Sequence, residues 1–290
     1  MAWGKLASFA TVSPYPPEQP SLFLSANRHR IGRTTMITTV PRTPTLGSPR
    51  RPALDRPAAM TLAETAYQRF LAQLHDLSDD DWSRPTDCPD WDVRALASHV
   101  LAQAEMAASV RQGVRQARAA RRRGGVLIDA LTALQVAEHS GLSSAELVER
   151  FAATAPKAAR ARRRTPWFLR RLPMPDKPVV NGHAEAWSLG YAVDVVLTRD
   201  TWMHGIDISS ATGRAAQLTP EHDGVLVADV VAEWAQRHAQ PCRLHLTGPA
   251  GGAWAFGSGG PTLELDAVEF CRILSGRGRG TGLLTTEVPF

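Results

Sequence analysis

The sequence predicts an α+β protein in two parts, a bundle of four or more helices followed by a small C-terminal α+β domain. Three observations lead there. Apolar residues recur at helical spacing through most of residues 61–212. After Gly213 the texture changes, and the alternating segments RLHLTGP and AWAFG read as strands. Hydrophobic residues make up 43% of the 290 and charged residues 21%, enough apolar content for a real core.

Residues 1–60 stand apart. They show no sustained period of 2 or 3.6 and are rich in Pro, Ser, Thr and Arg, as in PYPPEQPS and TTVPRTPTLGSPRRP. Such a composition cannot bury enough surface to fold. The segment is read as a disordered extension, transit-peptide-like in its near absence of acidic residues, or as a mis-called start with Met60 the true one. The first 59 residues carry eight Arg or Lys against Glu18 and Asp55, while the whole chain has a net charge of +5. The basic excess is therefore local, and the rest of the chain is close to neutral.

The first helix is expected in LAETAYQRFLAQLHDL, where Leu62, Ala66, Phe70, Leu71 and Leu74 share a stripe. SDDDWSRPTDCPDW is a long turn closed by Cys88-Pro89. Asp92 can cap a second helix running through VRALASHVLAQAEMAASVRQGVRQARA, a single rod of some 40 Å at about 1.5 Å per residue. RRRGGVLIDALTALQVAEHSGL holds a glycine break and another short helix. Ser143 and Glu146 form a capping box opening LVERFAATAPKAARARRR. A proline-rich connection then leads into EAWSLGYAVDVVLTRDTWMHGIDI, again at helical spacing. In residues 213–290, Thr219 with Pro220 starts a helix, a hairpin follows, and PTLELDAVEFCRILSGR gives a strand and a last helix.

No run of 18 or more apolar residues is present, which argues against a membrane-spanning chain. Three cysteines, Cys88, Cys242 and Cys271, lack CxxC spacing and have no base at nucleophile spacing. They read as structural, and so sparse a set fits a reducing cytoplasm. The runs RQARAARRR and ARARRR read as solvated helix ends, since no nucleic-acid-binding motif accompanies them.

Asp200 and His204 lie one helical turn apart and project from one face, so they can hold one ion between them. An intrahelical ion pair or a core histidine would give the same spacing. The apolar surroundings, WSLGYAVDVVL and TWMHGIDI, make unsatisfied polar groups there costly and favour the ion. His99, two turns past the Asp92 cap, can face this helix across an antiparallel bundle and supply a third ligand. Asp207 could orient the His204 ring, or simply cap the helix C-terminus or lie exposed. Trp91 and Trp202 could line a pocket or simply fill core, and His183 with Glu185 could lie near the site or simply start a helix.

CPDWDVRALASHV resembles a W-x-V-x-x-L-x-x-H segment, TRDTWMHGIDI an acid-x-x-x-His helix, and the ending GRGRGTGLLTTEVPF a C-terminal segment, all of the mycothiol-dependent maleylpyruvate isomerase family. The resemblance covers roughly residues 62–290. It implies a DinB-like four-helix bundle ahead of the small domain, and a divalent metal, usually zinc, on His99, Asp200 and His204. It also implies mycothiol as a low-molecular-weight thiol whose sulfur completes the coordination. An arginine of the C-terminal domain is used in the family, and Arg277 is its candidate here, placed to pair with a substrate carboxylate. One departure is Asp200, where the isomerase carries a glutamate, longer by one methylene.

The expectation is thus a cytoplasmic, metal-dependent thiol enzyme, a mycothiol-dependent S-transferase or a maleylpyruvate-isomerase-like enzyme acting on a small electrophile. The alternative is a non-catalytic metal-binding bundle serving as a binding or regulatory module. A monomer or homodimer is expected, without nucleic-acid or membrane partners.

Overall fold

The structure, a computed structural model, describes residues 48–290. The expected disorder of the N-terminal extension falls, for residues 1–47, outside the described residues. The boundary drawn at residue 60 lies inside a helix. Helix α1 spans Arg56–His75, starting on Pro57 in its first turn with Asp55 accepting from the Ala58 N–H. Just upstream, Arg50 bonds through its backbone to both Ala186 and Ser188 and through its side chain to Glu185.

Helix α2, Val93–Ala108, is capped by Asp92, which accepts from the Ala95 N–H at 2.7 Å. The single long rod expected here is broken. Ser109 leaves helical geometry at φ −144° and caps a separate helix α3, Val110–Arg123. A serine that can bond its own downstream N–H groups competes with helix continuation, and tertiary packing decides in favour of the break. Helix α4, Leu127–His139, and helix α5, Ser144–Arg164, follow, the latter opened by the Ser143–Glu146 capping box. A short turn of helix, α6, Trp167–Arg170, and a two-stranded ribbon, β1 (Val179–Val180) and β2 (His183–Ala184), precede the next helix. That helix begins as α7, Leu189–Tyr191, passes through a π turn at Ala192–Val196 and continues as α8, Leu197–Thr212. Inserted π turns shift the register of a helix and are frequent beside functional sites.

Helices α1, α2, α5 and α8 enclose one core built from Tyr67, Phe70, Leu96, Val100, Phe151 and Ile208, among others. The opposite face of α8 serves a second core. Trp202, Met203 and Ile206 pack with helix α9, Val225–His238, with the sheet and with helix α10, Ala267–Leu274. The division expected at residue 213 is therefore crossed by packing, because α8 belongs to both cores.

The C-terminal sheet has strands β3 (Cys242–Thr247), β4 (Gly252–Phe256) and β5 (Thr262–Asp266) in the order β4-β3-β5. The β3–β4 pair is the expected hairpin, antiparallel with Leu244 opposite Trp254, and β5 joins β3 in parallel. Inward residues alternate along β3 as its sequence requires. Gly251 in the hairpin turn is obligatory, since a Cβ there would meet the Leu246 carbonyl oxygen at 2.1 Å. Thr219 sits at the start of a π turn, Pro220–Gly224, but its side chain makes no cap; the Asp223 carboxylate instead accepts from the Thr219 N–H at 2.6 Å. No helix among the described residues is long and apolar enough to cross a membrane.

Candidate metal centre

Three backbone features converge at one point between the two cores. The Asp92 cap fixes the first turn of α2, and two turns later His99 faces inward, only 5% exposed. The π turn is followed by α8, on which Asp200, His204 and Asp207 lie along the face turned to α2. The segment Arg84–Asp92 folds over them. It is pinned by Thr86 N–H to the Trp91 carbonyl at 3.0 Å and by Val93 N–H to the Arg84 carbonyl at 3.0 Å, with Asp90 in the left-handed region at φ 67°.

His99 Nε2 lies 3.5 Å from Asp200 Oδ2, and His204 Nε2 lies 3.4 Å from Asp200 Oδ1. One donor atom from each residue fits within 4.8 Å of the other two. Donors bound tetrahedrally to one ion at about 2.0–2.1 Å are about 3.3 Å apart. The two nitrogen–oxygen spacings, each to a different oxygen of Asp200, are close to that value and exceed a normal hydrogen bond. The two imidazoles meet edge to face at 5.2 Å between centroids. Two imidazole nitrogens and a carboxylate, the three groups that converge here among the described residues, form the donor set of a catalytic zinc site. The residues present therefore fit a divalent ion.

The supporting shell is well defined. Asp207, fully buried, lies 3.0 Å from His204 Nδ1 and can hold the proton there, so that Nε2 is the ring nitrogen open to an ion that displaces its proton. Gln103, one turn beyond His99, donates from Nε2 to Asp200 Oδ2 at 2.8 Å. Burial alone would depress the His204 pKa, but Asp200 and Asp207 raise it well above the usual value. Burial likewise pushes Asp200 up, and His204 with His99 holds it well below the carboxylate range. Opposite shifts of this kind mark a compact cluster of mutually satisfied charge.

Arg277 reaches the same place from the C-terminal unit, on the SGRG turn after α10. Its Nε and Nη2 donate to Asp207 Oδ1 and Oδ2 at 2.6 and 2.7 Å. The guanidinium fork expected to take a substrate carboxylate is thus engaged with Asp207, and the bidentate face on which that expectation rested is occupied. Trp91 does belong to the site, with its ring centroid 5.2 Å from His99 and 6.0 Å from His204. Trp202 does not. It donates to Asp223 at 2.8 Å and stacks on Phe290, lining a cavity of about 240 Å³ on the other face of α8 together with Phe70, Gln73, Ile206 and His222.

His183 and Glu185 are also elsewhere. His183 is exposed on β2, and Glu185 joins Arg50 and Arg237 in an ion-pair network. The three cysteines, read as structural, separate in their placement. Cys242 and Cys271 are buried in the C-terminal core, but Cys88 is half-buried at the site, its Sγ 3.5 Å from Asp207 Oδ2, 3.6 Å from Arg277 Nη2 and 3.9 Å from His204 Nδ1. Nothing in its spacing announces this, because the left-handed turn at Asp90 brings it there. Of the basic runs, α3 is solvated as expected, but Arg162 is buried against Tyr67 and Thr198.

The family model for the mycothiol maleylpyruvate isomerase N-terminal domain matches residues 63–209, which span α1 through α8 and all three metal-candidate side chains. The chain belongs to this family. Two solved structures share the fold of this family member: a mycothiol-dependent maleylpyruvate isomerase and a histidine-to-alanine mutant of it. Each is 17% identical with a TM-score of 0.51, covering 81% of this chain and 95% of the other. No curated protein matches this member of the family. The family match covers the bundle; the α9–α10 unit that supplies Arg277 lies beyond it.

Proposed function

We propose that this chain is a metal-dependent thiol enzyme of the mycothiol-dependent maleylpyruvate isomerase type. His99, Asp200 and His204 hold a divalent ion, zinc by its donor set, and mycothiol is the thiol it serves. A bound zinc ion lowers the pKa of a coordinated thiol and supplies a thiolate nucleophile at neutral pH. The protein's own groups prepare that chemistry. Asp207 fixes the His204 tautomer, Arg277 balances the Asp207 charge, Gln103 steadies Asp200, and the Trp91 ring lies against both imidazoles.

The observation that carries the reading is the count of donors. Among the described residues three protein ligands converge, a number that leaves a fourth position for a ligand from outside, whereas a structural metal module closes its site with four. An isomerase needs the thiolate to add reversibly to an activated double bond, so that the bond can rotate before release. An S-transferase needs the same nucleophile to stay attached to its electrophile. The shorter Asp200, in place of the isomerase's glutamate, is the reason both reactions stand together here.

Metal analysis of the purified full chain, wild type beside His99→Ala, tests the ion: stoichiometric zinc in the first and its loss in the second are expected. Mycothiol is then offered with maleylpyruvate and with a panel of electrophiles. Isomerisation or thiol consumption that depends on His99 supports the enzyme. Stoichiometric metal with no turnover of any acceptor would shift the reading to a non-catalytic binding module, and absence of metal would end it.

A further inference from the structure

Between Glu149 and Asp176 the chain carries eight Arg or Lys and no acidic residue. The α6 turn lies near the end of this stretch and projects a cluster of large apolar side chains. Trp167, Phe168, Leu169 and Leu172 are 65%, 54%, 36% and 51% exposed. Lys157, Arg160, Arg164 and Arg171 are exposed on the same stretch and make no ion pair among the described residues. Four large apolar groups exposed within six positions are uncommon on a soluble surface and mark something that binds.

The base of this projection is held firmly. Leu172 accepts from the Leu189 N–H at 2.8 Å, Met174 N–H donates to the Trp187 carbonyl at 2.7 Å, and Arg170 turns inward to pair with Asp194. The apolar tip is thus presented outward from a base held at Arg170, Leu172 and Met174.

We propose that this segment docks the protein onto an anionic lipid surface. Trp167, Phe168, Leu169 and Leu172 enter the boundary between headgroups and acyl chains, and the surrounding Lys and Arg side chains meet lipid phosphates. Charge decides between occupants. A second copy seated symmetrically would place this acid-free basic stretch against itself, which repels. A nucleic acid would use the basic groups but not the leucines, and the stacking face it needs is taken. Arg171 already lies 4.9 Å over the Trp167 ring, with Phe168 edge-on at 6.2 Å. An anionic surface with an apolar interior uses both halves of the patch. Docking leaves the chain on one side of the membrane, so it requires no spanning helix.

The test is co-sedimentation of the full chain with vesicles of phosphatidylcholine alone or mixed with phosphatidylglycerol, at low and high salt. Binding is expected on the mixed vesicles only, weakened by salt. It should fall about tenfold or more in the double variant Trp167→Ser with Phe168→Ser, and again in Arg164→Glu with Arg171→Glu. All four residues are exposed, and an unchanged melting temperature confirms that each variant is folded. Failure to bind mixed vesicles at low salt, or equal binding by the Trp167 and Phe168 variant, would overturn the proposal. So would a wild-type dimer that the same variant converts to a monomer, or a duplex oligonucleotide bound through these residues, since either assigns the face to another partner.

Discussion

Arg277 grips Asp207 with two parallel hydrogen bonds, 2.6 and 2.7 Å, while the same carboxylate accepts from His204 Nδ1 at 3.0 Å. An arginine of the C-terminal unit is in this way linked through one carboxylate to a candidate metal ligand on α8. Partners that orient a ligating histidine typically contribute 10–100-fold to metal affinity. Arg277→Gln should therefore weaken zinc binding by about that range, measured by competition with a chromophoric chelator. Arg277→Lys should restore only part of it, because an ammonium cannot reproduce the bidentate fork. If zinc affinity is unchanged and only the KM for an acidic substrate rises, Arg277 acts on substrate, as its sequence position first suggested.

Gln103 is the other support, and it carries an unusual feature. Its Nε2 is on Asp200 Oδ2 at 2.8 Å, while its Oε1 is buried without a hydrogen-bond partner among the described residues. Holding a short aspartate by its far oxygen limits where the carboxylate can swing. Gln103→Leu keeps much of the bulk and removes the bond. Zinc affinity should fall by about 10-fold or more, with a melting temperature of the metal-free protein near or above that of wild type, since a buried unsatisfied oxygen is also removed. A variant that binds zinc as tightly as wild type would remove Gln103 from the site.

Much of this arrangement was legible in the sequence, for physical reasons that also explain the rest. Asp92 and the Ser143–Glu146 box are local signals, because a cap acts within three residues of itself. Asp200, His204 and Asp207 share a helix face, so their proximity follows from helix geometry alone. The strands of the C-terminal hairpin alternate visibly. What spacing could not show was anything set by a turn or by tertiary contact. Cys88 reaches His204 only through the left-handed Asp90, Arg277 finds Asp207 across the two units, and Ser109 breaks a rod whose composition favours continuation. The π turn at Ala192–Val196 is equally silent, since its residues read as an ordinary apolar helix.

Away from the metal centre, Glu233 joins the bundle to the C-terminal unit. It accepts from buried Tyr191 at 2.7 Å, from buried Arg199 at 2.9 Å and from half-buried Arg237 at 2.7 Å. Burial pushes its pKa up, but Arg199, Arg237 and Arg50 bring it down to about 2 from an ordinary 4.5. A depressed carboxylate stabilises the fold above its ordinary pKa and loses that contribution as pH falls through the folded value. Stability should therefore drop between about pH 4.5 and pH 2, opposed in part by Asp229, which burial shifts upward. Glu233→Gln should lower stability at neutral pH by about 3–5 kcal/mol, because buried arginines lose their counter-charge. It should also flatten the acid limb, read as denaturant midpoints across that pH range. An acid limb as steep as wild type would assign it to other carboxylates.

The Asp92 cap carries both stability and site geometry, so a substitution there separates the two. Its side chain satisfies the Ala95 N–H at 2.7 Å, and in sequence it joins Trp91, whose ring lies 5.2 and 6.0 Å from the two imidazoles, to the helix that carries His99. Asp92→Ala should cost about 1 kcal/mol, the usual loss for an N-cap. In a chain of this size that is a fall of about 2–4 °C in melting temperature. Frayed first-turn residues would also free Trp91, and zinc affinity should drop with it. Asp92→Asn keeps the acceptor and should restore both quantities. If the asparagine variant recovers the melting temperature but not the zinc affinity, the carboxylate charge acts on the site directly. If alanine leaves zinc affinity intact, the loop that bears Trp91 is held by Thr86 and Arg84 without help from the cap.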